Sequence, residues 1–517
     1  MSSSEFVSTL PGKEPLRFSS LQATYDLKLN ILYGEDVKLI KVADAAVFPT
    51  DGRVTILKNG SMKAFDDATI IANRQNKSHT IYGAKVTVQN SKSYYASGTY
   101  DYADESGQSQ QIRFASISVD TTGQTIARAT ISDSADFKLN PAFGFMGDVE
   151  LKASSKFLSF KGGFKINNVC ETKNPPQWVK FSAEVDPMNV VLPVSSDPRQ
   201  LLNEKLMASI AFSITDNVIY APFFIKPVAY SDLPMTPAEG FIRYDKKTQS
   251  YIVAADPKDL KNNTGNQLLL DTRRCILNGS GKVNLGADFG RLTMDLVGNS
   301  SYAIIPDSLS LDLLASINFF FSEPALEKFK DELTVANLKG INLNGDVVNK
   351  ALKLTLGDTD FRQLAEDMSL YGASKKSSDK LSKTMVLTDV KLKWNPDTRS
   401  FIGTGPIGIF SLGKSPVNKY VGGYVEIIRR RSGDVLNLYF ELAKGNWYFF
   451  TYTAGVMQTI SSNEDYNKII SDLKDDKRIL PVKGNEQTYQ YIISTPEKRL
   501  AFTRKMLQLF PPTQLRK

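Results

Sequence analysis

Alternation of apolar and polar residues dominates the first 170 positions of this chain. In "AKVTVQNSKSYYASGTYDY", Val86 and Val88 fall on one side of an extended chain, and Thr87 and Gln89 fall on the other. A period of two with β-branched and aromatic enrichment is typical of a half-buried strand. The pattern therefore predicts a run of successive strands.

A second segment, "GDVELKASSKFLSFKGGFKI", repeats the first one loosely. The corresponding pairs are Val86/Val149, Val88/Leu151, Tyr94/Phe157 and Gly98/Gly162. Similar β-units that stack cover the apolar faces of their neighbours. We therefore expect repeated antiparallel β-units in this region, arranged as a solenoid, a taco-like sheet or a sandwich.

Short helices are predicted where capping residues precede amphipathic stretches. The expected N-caps are Asp197, Ser322, Ser462 (with Asp465 in a capping box) and Thr495, and a further helix is expected over 360–371.

The last section combines strands with helices. In "DVLNLYFEL", Leu436, Leu438 and Phe440 share one face, and Asn437 and Tyr439 share the other. Two helical segments follow the strands, which predicts an antiparallel sheet with helices packed on it, an α+β unit.

The whole pattern predicts a mainly β protein with a few helices. We place a β-repeat domain at 20–185, a second β-rich domain with short helices at 186–370, and a C-terminal α+β domain with a terminal helix at 385–517. The Ser/Lys-rich segment 371–383 is the best linker candidate.

One short pattern occurs twice, 150 residues apart. "YDKKTQSYI" begins at Tyr244 and "WNPDTRSFI" begins at Trp394. If Trp394 pairs with Phe401, then Asn395 pairs with Ser400 and four residues form a loop built around a type I turn. The aromatic pair should then face the core and the polar pair should face water. This reading makes the repeat a structural hairpin rather than a ligand site.

A third, weaker copy of the hairpin is predicted in "VDTTGQTIA". It would place Val119 opposite Ile126, with Asp120 and Thr125 inside them, and Gln124 would fall where Gln249 and Arg399 fall.

Composition adds little to this picture. The 517 residues are 42% hydrophobic and 23% charged, which is ordinary for a folded protein, and the net charge of +8 is small for the length. We expect a solvated lysine-rich exterior and no nucleic-acid partner.

Cysteine and histidine limit the possible chemistry. Cys170 and Cys275 form no metal-binding spacing, and they are either one disulfide or two buried thiols. Any mechanism that uses histidine must use His79, the single one in the chain, which we interpret as a surface residue of a turn. We therefore expect no catalytic, metal or cofactor site, and no enzyme activity.

Two glycine motifs resemble nucleotide-binding patterns. "GIFSLGKS" (408–415) matches the P-loop spacing. A P-loop needs a long helix after this motif, but Pro416 follows directly and Gly422 and Gly423 come soon after, so only about one helical turn could form. "GTGPIG" (403–408) follows a hairpin rather than opening a helix, so its glycines are expected to allow a bend or a close strand crossing.

Three other motifs are interpreted as structural. "RRR" (429–431) is expected to be a solvated strand end. Asn395 and Asp397 supply two oxygens, whereas calcium needs six to eight ligands. The triplets "NNT", "NGS" and "NSS" match the glycosylation pattern, which carries meaning only in a secreted eukaryotic protein.

The first residues, "MSSSEFVSTLPGKEP", contain neither a basic region nor an apolar core, and no run of 18 apolar residues occurs in the chain. We therefore predict no signal peptide at this start and no transmembrane helix. From these residues the chain is expected to be cytoplasmic, or else a mature form or fragment whose targeting signal is missing.

The chain resembles bacterial envelope proteins. The two alternating units of the N-terminal region are similar to the strand repeats of OstA/LptA-like and AsmA-like proteins. "YDKKTQSYIV", "WNPDTRSFIGTGPIGI" and "NWYFFTYTAGVMQTISSN" resemble the C-terminal part of very large uncharacterised envelope proteins of Bacteroidota. Neither resemblance carries a catalytic motif.

The resemblance implies a periplasmic or outer-membrane-associated setting, with this sequence a fragment that lacks its signal peptide. Resemblance to OstA/LptA-like and AsmA-like proteins also implies an apolar groove that takes lipid chains. Repeated alternating strands without an assembled catalytic set favour a non-enzymatic scaffold or groove that binds lipid or a partner protein. An adaptor subunit of an outer-membrane or secretion complex is the alternative, and it would require the aromatic segment "NWYFFTYT" to be exposed. An enzyme of unknown class is the third possibility.

Overall fold

The computed structural model describes residues 4–7, 14–167, 170, 175–260, 265–341, 345–371, 378–430, 432–443, 445–482 and 488–511. Contacts among residues divide the chain into two units. Unit 1 comprises 1–169, 174–206 and 241–244, and unit 2 comprises 170–173, 207–240 and 245–517.

Unit 1 is built from strands and one 3₁₀ turn, Asp133–Ala135. The strands are β1 (Ser4–Val7), β2 (Arg17–Ser20), β3 (Gln22–Asp26), β4 (Ile31–Glu35), β5 (Leu39–Val42), β6 (Ala45–Pro49), β7 (Val54–Ile56), β8 (Phe65–Ile71), β9 (Thr80–Asn90), β10 (Ser93–Ala103), β11 (Ser109–Val119), β12 (Thr125–Ile131), β13 (Lys138–Asn140), β14 (Phe143–Lys152), β15 (Leu158–Ile166), β16 (Val179–Val185) and β17 (Leu192–Val194).

Most of these strands form one antiparallel meander, in the order β1-β2-β5-β6-β8-β9-β10-β11-β12-β14-β15-β16. Strands β3, β4 and β7 make a separate small sheet. The predicted alternation is confirmed, because Val86 and Val88 of β9 and Val149 and Leu151 of β14 are all buried.

Aromatic side chains fill the interior of unit 1. The rings of Phe145 and Phe160 meet edge to face with centroids 4.9 Å apart, and Phe181 and Tyr102 pack around them. The folded sheet is also joined by polar contacts: the Asp44 carboxylate accepts hydrogen bonds from the backbone amide and the hydroxyl of Thr125. Unit 1 therefore has a hydrophobic core of its own.

Unit 2 contains the remaining elements; β23 contributes residues 241–244 to unit 1. The strands are β18 (Met207–Ala208), β19 (Ala211–Ser213), β20 (Val218–Tyr220), β21 (Phe223–Ile225), β22 (Leu233–Pro234), β23 (Gly240–Asp245), β24 (Ser250–Ala254), β25 (Gln267–Asp271), β26 (Ile276–Val283), β27 (Thr293–Ala303), β28 (Ser308–Asn318), β29 (Met385–Asn395), β30 (Ser400–Thr404), β31 (Ile407–Leu412), β32 (Ser415–Ile428), β33 (Val435–Ala443), β34 (Asn446–Thr453), β35 (Val456–Ser461), β36 (Ile479–Leu480) and β37 (Tyr489–Ile493). The helices are α1 (Glu323–Val335), α2 (Asp346–Leu356), α3 (Asp358–Tyr371), α4 (Glu464–Ser471), α5 (Asp475–Arg478) and α6 (Pro496–Leu509).

The main sheet of unit 2 follows the chain order from β24 through β30, then β32 to β35, and ends with β37 and β36. Only the β35–β37 pair among these is parallel in the described residues. Strand β28 pairs directly with β29, so the sheet continues across the Ser/Lys-rich segment predicted as a linker. Most of that segment, 372–377, lies outside the described residues.

Helices cover both faces of this sheet. On one face, Phe329 of α1 packs on Tyr448 of β34 with ring centroids 3.9 Å apart. On the other, Phe502 and Met506 of α6 pack against a cluster that includes Tyr439. The mainly β class with a C-terminal α+β region is thus confirmed, and Asn437 and Tyr439, on the second face of β33, are also buried.

Two of the predicted caps are confirmed and two are wrong. The hydroxyls of Ser322 and Thr495 accept hydrogen bonds from the backbone amides of α1 and α6. Helix α4 is capped by Asn463, whose side chain accepts from the Tyr466 amide at 3.1 Å, one residue after the predicted Ser462. The predicted helix after Asp197 does not form.

Tertiary pairing explains the missing helix. The carbonyl of Arg199 accepts a hydrogen bond from the Lys180 amide at 2.8 Å, and Arg199 also forms a bridge with Lys205. The Asp197 carboxylate pairs with the Arg199 side chain instead of capping a helix. Backbone groups that a helix would pair internally are thus hydrogen-bonded to neighbouring strand segments. Sequence reasoning also missed α2, whereas the helix expected over 360–371 is α3.

Candidate functional site

A groove of about 780 Å³ opens on one face of the unit 2 sheet. Strands β25 to β29 form its floor, and Ile402 of β30, Leu260 and Phe510 contribute apolar surface at its borders. All of its lining residues belong to unit 2.

The floor consists of two adjacent rows of side chains that run across the strands. One row is Gln267, Ser280, Asn299, Asp312 and Lys391, and the other is Leu269, Asn278, Ser301, Ser310 and Lys393. Members of a row are direct cross-strand partners, and the two rows share a face because side chains alternate along a strand. The centre of the floor therefore presents hydroxyl, amide and carboxylate groups.

Two of the sequence triplets lie on this floor. "NGS" and "NSS" lie on adjacent antiparallel strands, where Asn278 is opposite Ser301 and Ser280 is opposite Asn299. The triplet "NNT" (262–264) lies outside the described residues. The sequence did not predict that the two triplets lie side by side, because polar residues at alternate positions of a strand ordinarily indicate a solvated face.

The described residues that line the groove include two lysines, Lys391 and Lys393, which are exposed, and one aspartate, Asp312. Burial raises the pKa of Asp312 above its ordinary value; the nearby Lys391 opposes that shift and the nearby Asp389 adds to it. The Oδ1 atom of Asp312 is buried and has no hydrogen-bond partner among the described residues. Lys350 of α2 donates to the Gln267 side chain at 3.1 Å, and burial lowers the pKa of Lys350.

The groove borders two parts of the same sheet face that helices cover. Along the strands, Val297 and Leu314 are two residues away from Asn299 and Asp312, and they pack against α2. Across the strands, Ile402 lies opposite Lys393 and packs in the cluster formed with α6. Among the described residues, the groove is therefore a section of this face that neither helix covers.

Beneath α6, the polar row of the floor continues. Ile402 is opposite Glu426, and Glu426 is opposite Asn437. Glu426 is 1% exposed; it accepts hydrogen bonds from the Asn437 amide at 3.0 Å and from the Ser400 hydroxyl at 3.1 Å, and it forms an ion pair with Lys505 of α6. These contacts bind α6 to the sheet and satisfy a buried carboxylate.

The repeated hairpin is confirmed in its second copy and corrected in one respect. Trp394 pairs with Phe401, their ring centroids are 4.9 Å apart, and Asn395 pairs with Ser400. Ser400, however, is buried rather than wet. The reason is tertiary: Glu426, Ser400's acceptor, lies under α6.

The two copies share the same backbone turn, and the third does not. Gln249 and Arg399 occupy equivalent positions and both have φ near 50°. In the third segment Val119 is opposite Thr125, not Ile126, because the loop is shorter and its left-handed position is Gly123, with φ of 82°. The predicted third copy is therefore wrong in register.

The two glycine motifs are parts of the sheet. "GIFSLGKS" forms the β31–β32 hairpin rather than a strand followed by a helix. At Gly403, an added Cβ atom would overlap the Lys391 carbonyl oxygen. This is the close strand crossing that the sequence predicted for "GTGPIG".

His79 is buried, so its prediction as a surface residue is wrong. Its Nε2 lies 2.8 Å from the Ser155 carbonyl oxygen, which can only accept, so Nε2 carries the proton. Nδ1 is buried without a hydrogen-bond partner among the described residues, and burial lowers the pKa of His79. The turn before β9 packs on the turn after β14. The burial of His79 depends on this long-range contact, so the local sequence could not predict it.

Of the two possibilities for the cysteines, the structure has the disulfide. Cys170 and Cys275 form a disulfide bond, with their Cα atoms 5.4 Å apart. The two cysteines are 105 positions apart in the sequence. No group of three or more His, Cys, Asp or Glu side chains that could hold a metal occurs in the part of the chain that the structure describes.

Part of the "RRR" segment is not solvated as predicted. The Arg429 guanidinium pairs with Asp434 at 3.3 Å, donates to the Leu285 carbonyl at 2.9 Å and lies over the Phe212 ring. Arg430 is exposed, and residue 431 lies outside the described residues. Arg429 thus joins two parts of unit 2.

The aromatic strand β34 is also buried. Tyr448, Phe449, Phe450 and Tyr452 are each at most 1% exposed. Trp447 is partly covered by Arg499 of α6, whose guanidinium lies 4.3 Å from the ring centroid. The adaptor hypothesis therefore loses the exposed aromatic patch on which it depended.

No family model, curated protein or solved structure matches this chain. Within the residues that the structure describes, none of the helices combines the length and the apolar character that a membrane span requires.

Proposed function

We propose that this protein is a non-enzymatic binding scaffold of the bacterial cell envelope, and that the unit 2 groove holds its lipid or protein ligand. The observation that carries the proposal is the groove itself. It is about 780 Å³, within the range of small-ligand sites, and it combines apolar borders with a few convergent polar groups.

Two further observations support this setting. The Cys170–Cys275 disulfide suits an oxidising compartment such as the periplasm. The repeated alternating strands are what the resemblance to envelope proteins implies. A periplasmic or outer-membrane-associated location is part of the proposal.

Site-specific photo-crosslinking tests the groove. A benzophenone amino acid at Ser301, in the centre of the floor, is expected to yield a stoichiometric adduct with a lipid or a polypeptide when the protein is purified from cells without detergent. The same amino acid at the exposed Lys247 serves as the control. Mass spectrometry identifies the adduct.

A second variant separates binding from misfolding. Ser301→Trp fills the groove and is expected to abolish co-purification of the ligand, while Lys247→Trp retains it. Circular dichroism establishes that both variants fold. If position 301 gives no adduct above the level of position 247, the groove is not the binding site and the proposal fails.

A further inference from the structure

We infer that the groove binds one amphipathic helix of a partner protein, with carboxylates directed at Lys391 and Lys393. This inference rests on the proposed function and specifies its ligand. It follows from how the same sheet face already binds helices of this chain.

Helix α6 demonstrates the mode of recognition. Its apolar residues Phe502 and Met506 pack on the sheet. Its lysines reach acceptors in the polar row below: Lys498 donates to the Gln458 side chain at 2.7 Å, and Lys505 pairs with Glu426. This face of the sheet thus binds a helix through apolar contacts and charge-assisted hydrogen bonds to its polar row.

The direction of α6 points to the groove. Lys498 contacts β35 and Lys505 contacts β32, so the helix crosses the strands along the row. Phe510, just beyond the end of α6, lines the groove. The uncovered floor is therefore the continuation of the surface on which α6 lies.

The dimensions suit one helix. Five strands spaced about 4.8 Å apart make a floor about 19 Å across, which is the length of about 13 helical residues. A helix about 10 Å wide and 19 Å long, sunk to half its width, displaces about 750 Å³. The groove volume of about 780 Å³ is of the same order.

The polarity of the floor favours a helix over an acyl chain. An acyl chain laid along the floor would cover Asn278, Asn299 and Asp312 without offering hydrogen bonds, and each polar group left without a partner would weaken its binding. Polar side chains on a helix can pair with these groups. Apolar residues near the two ends of the helix would contact Leu269 on one side and Ile402 on the other.

Charge determines which helix fits. Under α6 the sheet supplies the acceptors Glu426 and Gln458, and the helix supplies lysines. In the groove the sheet supplies Lys391 and Lys393, so the complementary helix carries Asp or Glu. Lys350 adds a third positive charge. The nearby negative groups are Asp312 and Asp389, so the lysines outnumber them three to two.

Fluorescence anisotropy with synthetic probes tests the inference on the full chain. The probe is an amphipathic peptide of about 20 residues, above the length at which isolated helices are marginal. The face that meets the floor carries glutamates and serines at its centre and apolar residues near both ends. Its controls are the same peptide with lysines replacing the glutamates, and the same peptide with a central proline that breaks the helix. The acidic helix is expected to bind at least tenfold more tightly than either control, and more weakly at high salt.

Charge reversal supplies the matched test on the protein. Lys391→Glu/Lys393→Glu is expected to weaken the acidic peptide about tenfold and to favour the basic one. Lys247→Glu/Lys474→Glu changes the net charge equally at exposed positions outside the groove and is expected to change neither. Equal binding of the acidic and basic peptides, or no loss on breaking the helix, overturns the inference.

The same experiments separate this inference from the proposed function. A lipid adduct at position 301, or displacement of the acidic peptide by vesicles of phosphatidylglycerol, shows that the groove binds lipid. The inference of a helical ligand is then wrong, while the proposed binding function of the groove stands. If neither peptide nor lipid engages the groove, both are wrong.

Discussion

The hydroxyl of Ser400 donates a hydrogen bond to the carboxylate of Glu426 over 3.1 Å in the interior of unit 2. Ser400 belongs to the repeated hairpin, and Glu426 lies under the final helix, where it also binds Lys505. One polar contact thus joins a local hairpin to the last helix of the fold.

This relationship predicts the effect of removing the cation. Lys505→Met leaves the 1%-exposed Glu426 without its charge partner. We expect a loss of about 2–3 kcal/mol in the free energy of unfolding, below the 3–5 kcal/mol of a wholly buried pair because the Lys505 side chain is 36% exposed. Urea unfolding measures the change.

Two further variants serve as controls for Lys505→Met. Lys498→Met removes a contact to a neutral amide and is expected to cost at most about 1 kcal/mol. Adding Glu426→Gln to Lys505→Met should recover part of the loss, since no buried charge then remains. If Lys498→Met and Lys505→Met cost the same, the Glu426 pair is not what holds the helix.

Gly403 should tolerate no side chain. Its Cβ would overlap the Lys391 carbonyl oxygen on the neighbouring strand, so Gly403→Ala is expected to lower the melting temperature by several degrees. Gly422 lies in the same sheet, but an added Cβ there would come no closer than 3.6 Å to another atom. Gly422→Ala should therefore leave the melting temperature nearly unchanged, and an equal loss in both would contradict this account.

The disulfide should stabilise the protein through its long loop. Because the cysteines are 105 positions apart in the sequence, removing the disulfide in Cys170→Ser/Cys275→Ser is expected to cost about 2–5 kcal/mol. Unfolding with and without a reducing agent measures the difference. The wild-type protein should lose stability on reduction while the variant does not; a reductant effect of the same size in the variant would refute the assignment.

His79 should titrate below its ordinary pKa. Burial favours the neutral ring in the folded protein, whereas the unfolded chain binds a proton near pH 6.5. The contribution of His79 to stability is therefore complete above about pH 6.5 and is lost as the pH falls from there through the folded pKa. Because the chain contains one histidine, the NMR signal of a histidine-labelled sample reports this pKa directly. A pKa at or above 6.5 would contradict the burial.

Asp312 should show the opposite pH dependence. Its raised pKa means that the folded protein disfavours the ionised carboxylate, so Asp312→Asn is expected to increase stability at pH 7. The gain should disappear below about pH 3.8, where the carboxyl group is protonated in both states. The same variant makes the groove more positive and should bind the acidic peptide more tightly; weaker binding would count against the charge argument.

Local sequence predicted the elements whose signals are local. Alternating apolar residues identified the strands around Val86 and Val149, and Ser322 and Thr495 marked two helix starts, because periodicity and capping depend on neighbouring residues. The Trp394–Phe401 pair was also predictable, since the length of a hairpin loop determines which residues oppose each other.

The candidate site was not predictable in the same way. Asn278, Ser301 and Lys393 have the polar alternation of any exposed strand face. They become a groove floor only because five strands align and because α2 and α6 cover neighbouring parts of the same face. The short helix predicted after Asp197 does not form, because the backbone groups of this segment hydrogen-bond to a neighbouring strand.

The sequence by itself determined the strand pattern, the hairpin turn and the ends of two helices, because these follow from interactions within a few residues. The tertiary structure alone decided the burial of His79, Ser400 and Glu426, the pairing of Cys170 with Cys275, and the groove. Each of these depends on segments tens to hundreds of residues apart, and their meeting is set by packing of the whole sheet rather than by any local preference.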